Sequence, residues 1–146
     1  MKSIAIQLGK ELEQVEIVVH GYERPDSTDY YDANWLSCEV SVAVGKFRGE
    51  TRCALWTVDF RSFAKSLREL ESNLAGSAEF TTMEEQFTLS LKGDGRGRFE
   101  LVGEVIDRPG RGNGNSLRWR FDVDQCQVTD FRGQIKRVVS SFPVRG

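Results

Sequence analysis

The chain is predicted to fold as an α+β protein, in which a curved, mostly antiparallel, meander-like sheet of about six to eight strands carries two amphipathic helices. Three observations lead there. Most segments alternate apolar and polar residues with period 2, and the connections between them are short and rich in glycine. Only two segments, at about 59–75 and 129–141, change to a helical period, and each follows a group of strands instead of alternating with single ones.

Val15, Ile17 and Val19 alternate with Glu16, Val18 and His20 in the first predicted strand. The second is long, with Leu36, Cys38, Val40, Val42 and Val44 on one face and Trp35, Ser37, Glu39, Ser41 and Ala43 on the other. After a turn at Gly49, Arg52 to Val58 continues as a strand. Phe60, Phe63, Ala64, Leu67, Leu70 and Leu74 then recur at three- and four-residue steps, which predicts the first helix; Thr57 or Asp59 suits its start, and Gly76 follows its end. Ala78 to Thr82 adds a short strand, Phe87, Leu89 and Leu91 define the next, and Phe99 to Ile106 another. Leu117, Trp119, Phe121 and Val123 face inward on the last strand, with Arg118, Arg120, Asp122 and Asp124 outward. The final helix buries Phe131, Ile135, Val138 and Phe142 before Pro143 stops it, and Gly133 weakens it by about 1 kcal/mol relative to alanine.

A sheet with one face on the helices and the other in water should carry only polar outward residues, yet those positions include Val18, Trp35, Trp56, Val58, Val102 and Ile106. Sheet curvature or loop cover is the expected answer. A folded-back N-terminal segment or a homodimer interface would also serve.

A length of 146 residues with 39% hydrophobic and 29% charged side chains fits one domain, 1–146, large enough to fold without a metal or disulfide staple. Cys38, Cys53 and Cys126 are widely spaced and odd in number, which argues against a disulfide framework and for a reducing compartment. Met1 to Leu8 is too short for a signal-peptide apolar region, and no stretch approaches the roughly 20 apolar residues of a membrane span. The expectation is a cytoplasmic protein with no membrane partner.

Charge is divided along the chain. Residues 1 to 50 hold five Lys or Arg against nine Asp or Glu, a balance of −4, while residues 51 to 146 hold fifteen against thirteen, a balance of +2. The basic residues of the second part include Arg96, Arg98, Arg108, Arg111, Arg118 and Arg120. Neither set is dense enough to bind a polyanion, and the net charge of −2 disfavours nucleic acid as a partner.

Catalytic constellations are thin. Any Ser-His-Asp or Cys-His site must use the sole histidine, His20, which reads better as a strand histidine bonded locally, and no GxSxG elbow occurs. Asp122 and Asp124 share a strand face with Arg118 and Arg120, which makes a solvated salt-bridge face rather than a carboxylate pair for acid–base work; Glu84-Glu85 reads as a charged turn. The glycine loops Gly93 to Gly97 and Pro109 to Gly114 join strand to strand, whereas a phosphate cradle needs a helix immediately after the glycines. One histidine and scattered cysteines supply no zinc spacing. The sequence thus predicts no catalytic residue, no cofactor and no metal.

The segment Tyr30-Tyr31-Asp32-Ala33-Asn34-Trp35-Leu36 joins an acidic, aromatic loop to the long second strand and marks a possible recognition surface. Asp32 to Leu36 leading into that strand, Cys53-Ala54-Leu55-Trp56-Thr57-Val58 feeding an amphipathic helix, and a last helix closing with Ser141-Phe142-Pro143-Val144-Arg145 resemble the WapI-type immunity family of bacterial toxin–immunity systems. The similarity runs from about Val15 onward. It implies a non-enzymatic protein that binds a toxin, usually its C-terminal nuclease domain, and it supplies no catalytic residues.

Under that reading the protein occludes a basic partner with acidic residues and aromatic anchors, for which Asp26, Asp29, Tyr30, Tyr31, Asp32 and Trp35 are the first candidates. The same residues also fit a solvated loop with a structural tryptophan. A general interaction or assembly subunit is the alternative function, marked by a stable homo-oligomer. A small-ligand binder, marked by a deep polar pocket, ranks below it.

Overall fold

Ile4, Ile6 and Leu8 alternate with Ala5 and Gln7, and this short pattern extends the sheet by one strand at its start. In the computed structural model, which describes residues 3–108 and 114–146, Ile4–Lys10 is strand β1 and pairs antiparallel with β2, Glu13–Tyr22. The first sheet continues through β3, Trp35–Val44, and β4, Phe47–Trp56, in the order β1-β2-β3-β4. Its inner face is the predicted one except at Val44, which is only half-buried: Val15, Ile17, Val19, Leu36, Cys38, Val40, Val42, Cys53 and Leu55 are all buried.

The strands divide into two four-stranded sheets rather than the single curved sheet that their alternation predicts. Helix α2, Thr57–Asn73, follows β4 directly, and the chain returns from it as β5, Ala75–Phe80, which starts a second antiparallel sheet. That sheet adds β6 (Phe87–Asp94), β7 (Arg98–Ile106) and β8 (Ser116–Asp124) in the order β5-β6-β7-β8. A 17-residue helix between β4 and β5 removes the short connection that would let those two strands pair. The predicted loop with Arg111 lies at residues 109–113, outside the described residues.

Helix α3, Gln125–Ser141, starts four residues before the predicted Thr129. Asp124 is the reason: its carboxylate accepts from the Gln127 amide, and the Gln127 side chain accepts from the Asp124 amide. This reciprocal cap satisfies two amides that a helix start otherwise leaves open. At α2 neither Thr57 nor Asp59 caps the helix; the N-cap is Trp56, with no side-chain bond, and the end is closed by Leu74 in the left-handed region at φ 62°.

One hydrophobic cluster joins both sheets and both long helices. Phe63 of α2 packs on Phe80 of β5 at 5.5 Å and on Phe131 of α3 at 6.1 Å, while Leu67, Ile135 and Val138 are fully buried beside them. Such aromatic contacts add to simple area burial. Where the sheets approach, Gly49 of β4 leaves room for the Leu117 side chain of β8; a Cβ there would sit 2.8 Å from Leu117 Cδ2. Among the described residues no helix is long and apolar enough to cross a membrane.

Candidate partner-binding surface

The aromatic loop is held by a single turn of helix. Asp29 adopts an extended backbone and its carboxylate accepts from the Tyr31 amide at 2.8 Å, which starts α1, Tyr30–Ala33. The turn folds the loop back over the outer face of the first sheet, where Trp35 and Trp56 sit directly opposite each other at the adjoining ends of β3 and β4. Tyr31 lies parallel to the Trp56 ring at 6.0 Å, Tyr30 meets that ring edge-on at 5.6 Å, and Trp35 is tilted against it at 6.0 Å. The Trp56 Nε1 proton goes to the Tyr31 carbonyl.

The expected cover over the outward tryptophans is therefore a loop. Trp35 and Trp56 are half-buried beneath it, and Val58 belongs to the first turn of α2 rather than to a strand. The covering residues stay open to solvent: Tyr31 is 62% exposed and Tyr30 37%. The result is a stacked aromatic platform with two tyrosines on top.

Below the platform a polar clamp fixes the loop. Asn34 is fully buried and uses its whole amide, donating to the carbonyls of Tyr30 and Arg145 and accepting from the Thr57 hydroxyl and the Arg145 amide. The Arg145 guanidinium donates to the carbonyls of Ala33, Pro25 and Arg24 and lies 3.8 Å over the Tyr22 ring. Burying the Asn34 amide is tolerable only because every bond is made. The guanidinium adds both its hydrogen-bond fork and its attraction to the ring face. Burial raises the Tyr22 hydroxyl above its usual range, and the positive charge of Arg145 partly opposes this.

The acidic residues have separate roles. Asp29 caps α1, Asp32 pairs with Arg24 at 3.2 Å on the exposed rim, and Asp26 is exposed. Asp59, within the first turn of α2 next to Trp56, is half-buried, and that burial pushes its carboxyl up to about 6. Of the six residues singled out in the sequence, the structure brings Tyr30, Tyr31 and Trp35 together around Trp56, and sets Asp26, Asp29 and Asp32 along the same loop. Trp56, Asn34, Thr57 and Arg145, which the sequence does not single out as partner-binding residues, are the ones that hold this surface together. Their link to the loop is a matter of long-range contact rather than of local pattern.

Elsewhere, the chemistry for bond breaking is weak. His20 bonds Ser3 Oγ through Nδ1 at 2.9 Å and Glu39 through Nε2 at 2.6 Å, a local role on the outer sheet face. Ser, His and carboxylate are in line, but His20 and Glu39 are 41% and 36% exposed, without the dry enclosure in which such a relay accelerates acyl transfer. Cys38 and Cys53 face each other across β3 and β4, both buried and free; burial pushes the Cys53 thiol up to about 12 and Cys38 higher still, so neither is a nucleophile near neutrality. Arg120 is held by Glu100 at 2.6 Å and Asp122 at 3.5 Å, the salt-bridge face expected there. In the β6–β7 hairpin the Asp94 carboxylate accepts from the Arg96 and Arg98 amides, which hold it below the usual carboxylate range. Among the described residues no group of three or more His, Cys, Asp or Glu could hold a metal ion.

Comparison with known proteins gives one family. The model of the immunity protein WapI-like family matches residues 6–143. No curated protein matches the chain. Among solved structures, the chain is similar to one in the CdiA-CT/CdiI toxin and immunity complex from Enterobacter cloacae, with 18% identity, a TM-score of 0.43, and coverage of 70% of this chain and 88% of that one.

Proposed function

The chain belongs to the WapI-like immunity protein family, and from that premise we propose that it neutralises a cognate bacterial toxin domain by direct protein–protein contact, with the platform of Tyr30, Tyr31, Trp35 and Trp56 as its anchor. The role is binding rather than catalysis, and the place of action is the cytoplasm of the cell that needs protection. The observation that carries the choice of surface is Tyr31, mostly exposed yet already stacked flat on Trp56 and set on a loop clamped by Asn34 and Arg145.

Rigid, exposed aromatic rings are what a binding hot spot requires. They offer a large apolar contact, and little rotational freedom is left to lose on association. Asp26 and Asp32 at the rim then favour a partner whose facing surface is basic, as the active cleft of a nucleic-acid-cleaving toxin would be.

The test is binding of the purified toxin domain encoded beside this protein, compared for wild type and Tyr31→Ala. Because Tyr31 is mostly outside the core, the variant should melt within a few degrees of wild type while the complex dissociates about tenfold faster or more, the loss expected of a hot-spot aromatic. Equal dissociation rates would move the interface off the platform. Failure of the two proteins to associate at all would reject the immunity reading for this pair.

A further inference from the structure

Helices α2 and α3 pack side by side, with Phe63 on Phe131 and Arg132 paired at 2.8 Å to Glu71 near the end of α2. On the outer side they leave a groove of about 470 Å³. Arg61, Lys65 and Arg68 line one wall, Arg132 and Lys136 the other, and Ala64 and Val139 contribute apolar surface between them. Of these five cations only Arg132 takes part in an ion pair among the described residues.

Within the groove this arrangement sets like charges side by side. Arg61 and Lys65, Lys65 and Arg68, and Arg132 and Lys136 are like charges three or four residues apart, neighbours on one helical face that repel one another. Nothing in the packing of the core asks for them, since the buried faces of both helices are apolar. Opposite charge brought from outside would relieve the repulsion on both walls together.

We infer that the groove between α2 and α3 is a second interaction surface, which takes a short acidic segment of a protein partner. Its reach decides the size of the guest: residues 61 to 68 cover about two helical turns, roughly 10 Å, enough for about three extended residues. The apolar strip formed by Ala64 and Val139 suits a peptide that places one apolar side chain on the floor and carboxylates against the walls. A nucleic acid fits less well. It would need a longer basic track, and the chain's net charge is −2. The inference does not depend on the tyrosine platform, because the two surfaces share no residue and prefer opposite charge.

The test uses the whole protein, labelled with nitrogen-15, and two probes: a capped eight-residue peptide alternating Glu and Leu, and an eight-nucleotide single-stranded oligothymidylate. At low salt the peptide should shift the amide signals of Ser62, Ala64, Lys65 and Val139 in a saturable way, and the oligonucleotide should bind more weakly. Joint Arg68→Glu and Lys136→Glu substitution should weaken the peptide about tenfold or more, the scale of effect expected when attraction becomes repulsion. If that variant does not fold, Arg68→Gln with Lys136→Gln should still weaken it severalfold. Tyr31→Ala should leave peptide binding as it was, which separates this result from that of the platform. Peptide shifts that do not saturate, that map to the arginines of β7 and β8, or that survive charge removal would overturn the proposal. So would tighter binding of the oligonucleotide.

Discussion

Asn34 shows how much of the site depends on one buried side chain. Its two amide donors and its carbonyl oxygen tie α1, the start of α2 and the segment after α3 to a single point, through partners as far as 111 residues away in the chain. In the sequence it is one more polar residue of an acidic loop, because pattern and spacing carry no information about a partner at Arg145. Asp59 is the opposite case, a carboxyl whose setting weakens the fold. An aspartate in the unfolded chain titrates near 3.9, whereas burial pushes Asp59 up to about 6 in the folded protein. Between those values the folded state holds a proton that the unfolded state has released, so stability falls as pH rises through that window, and the whole penalty is present above it. Asp59→Asn should therefore be more stable than wild type at pH 8, by about 1 kcal/mol after allowing for partial exposure, and equal to it at pH 4. Urea unfolding at pH 4, 6 and 8 measures this. A wild type more stable than the variant at pH 8 would mean that the attraction of a carboxylate to the start of α2 outweighs its burial.

At the level of elements, the strands were readable wherever one face met the core and the other met water. The alternation of Leu36 to Val42 or Leu117 to Val123 survives as a burial pattern, and it fades at Val44, which is only half-buried at the end of its strand. The partition into two sheets was not readable, since alternation says which way side chains point and not which strand pairs with which. Nor was the start of α3. Gln125, Cys126 and Gln127 offer no apolar period, and only the spacing of Asp124 and Gln127 marks the cap. The inner faces of both helices were plain from their period, and that contact has a measurable weight. Phe63 is fully buried between Phe80 and Phe131, so Phe63→Ala removes contacts to both the second sheet and the other long helix. The loss should be about 3–5 kcal/mol, a large share of the 5–15 kcal/mol typical of a domain, with unfolding followed by near- and far-ultraviolet circular dichroism in one shared transition. A loss below about 1 kcal/mol would show that the helices pack mainly through other residues.

Across the whole molecule the two proposed surfaces divide the charge that the sequence carries. The platform's exposed loop sits in the acidic first part, whose balance is −4, and the groove in the basic remainder, whose balance is +2. The platform was half legible: Tyr30, Tyr31 and Trp35 are neighbours in the chain, whereas Trp56 is 25 residues beyond Tyr31 and reaches it only through the β3–β4 pairing. The acidic loop can act on a basic partner at a distance, because complementary charge raises association from roughly 10⁵–10⁶ towards 10⁸ M⁻¹s⁻¹ at low salt. The loop's own geometry decides which residues can test this. Asp29 must stay, since its carboxylate starts α1 and its removal would disturb the tyrosines. Asp26 is exposed, and Asp32 lies on the rim beside Arg24, so both can be changed without opening the core. Joint Asp26→Lys and Asp32→Lys substitution should slow association with the toxin domain by about tenfold at low salt and flatten its dependence on ionic strength, while dissociation changes little. Stopped-flow measurement over a range of salt concentrations separates the two rates. If association keeps its speed and its salt dependence, the Asp26 to Asp32 loop does not steer the encounter, and the basic groove of α2 and α3 becomes the surface that a charged partner meets first.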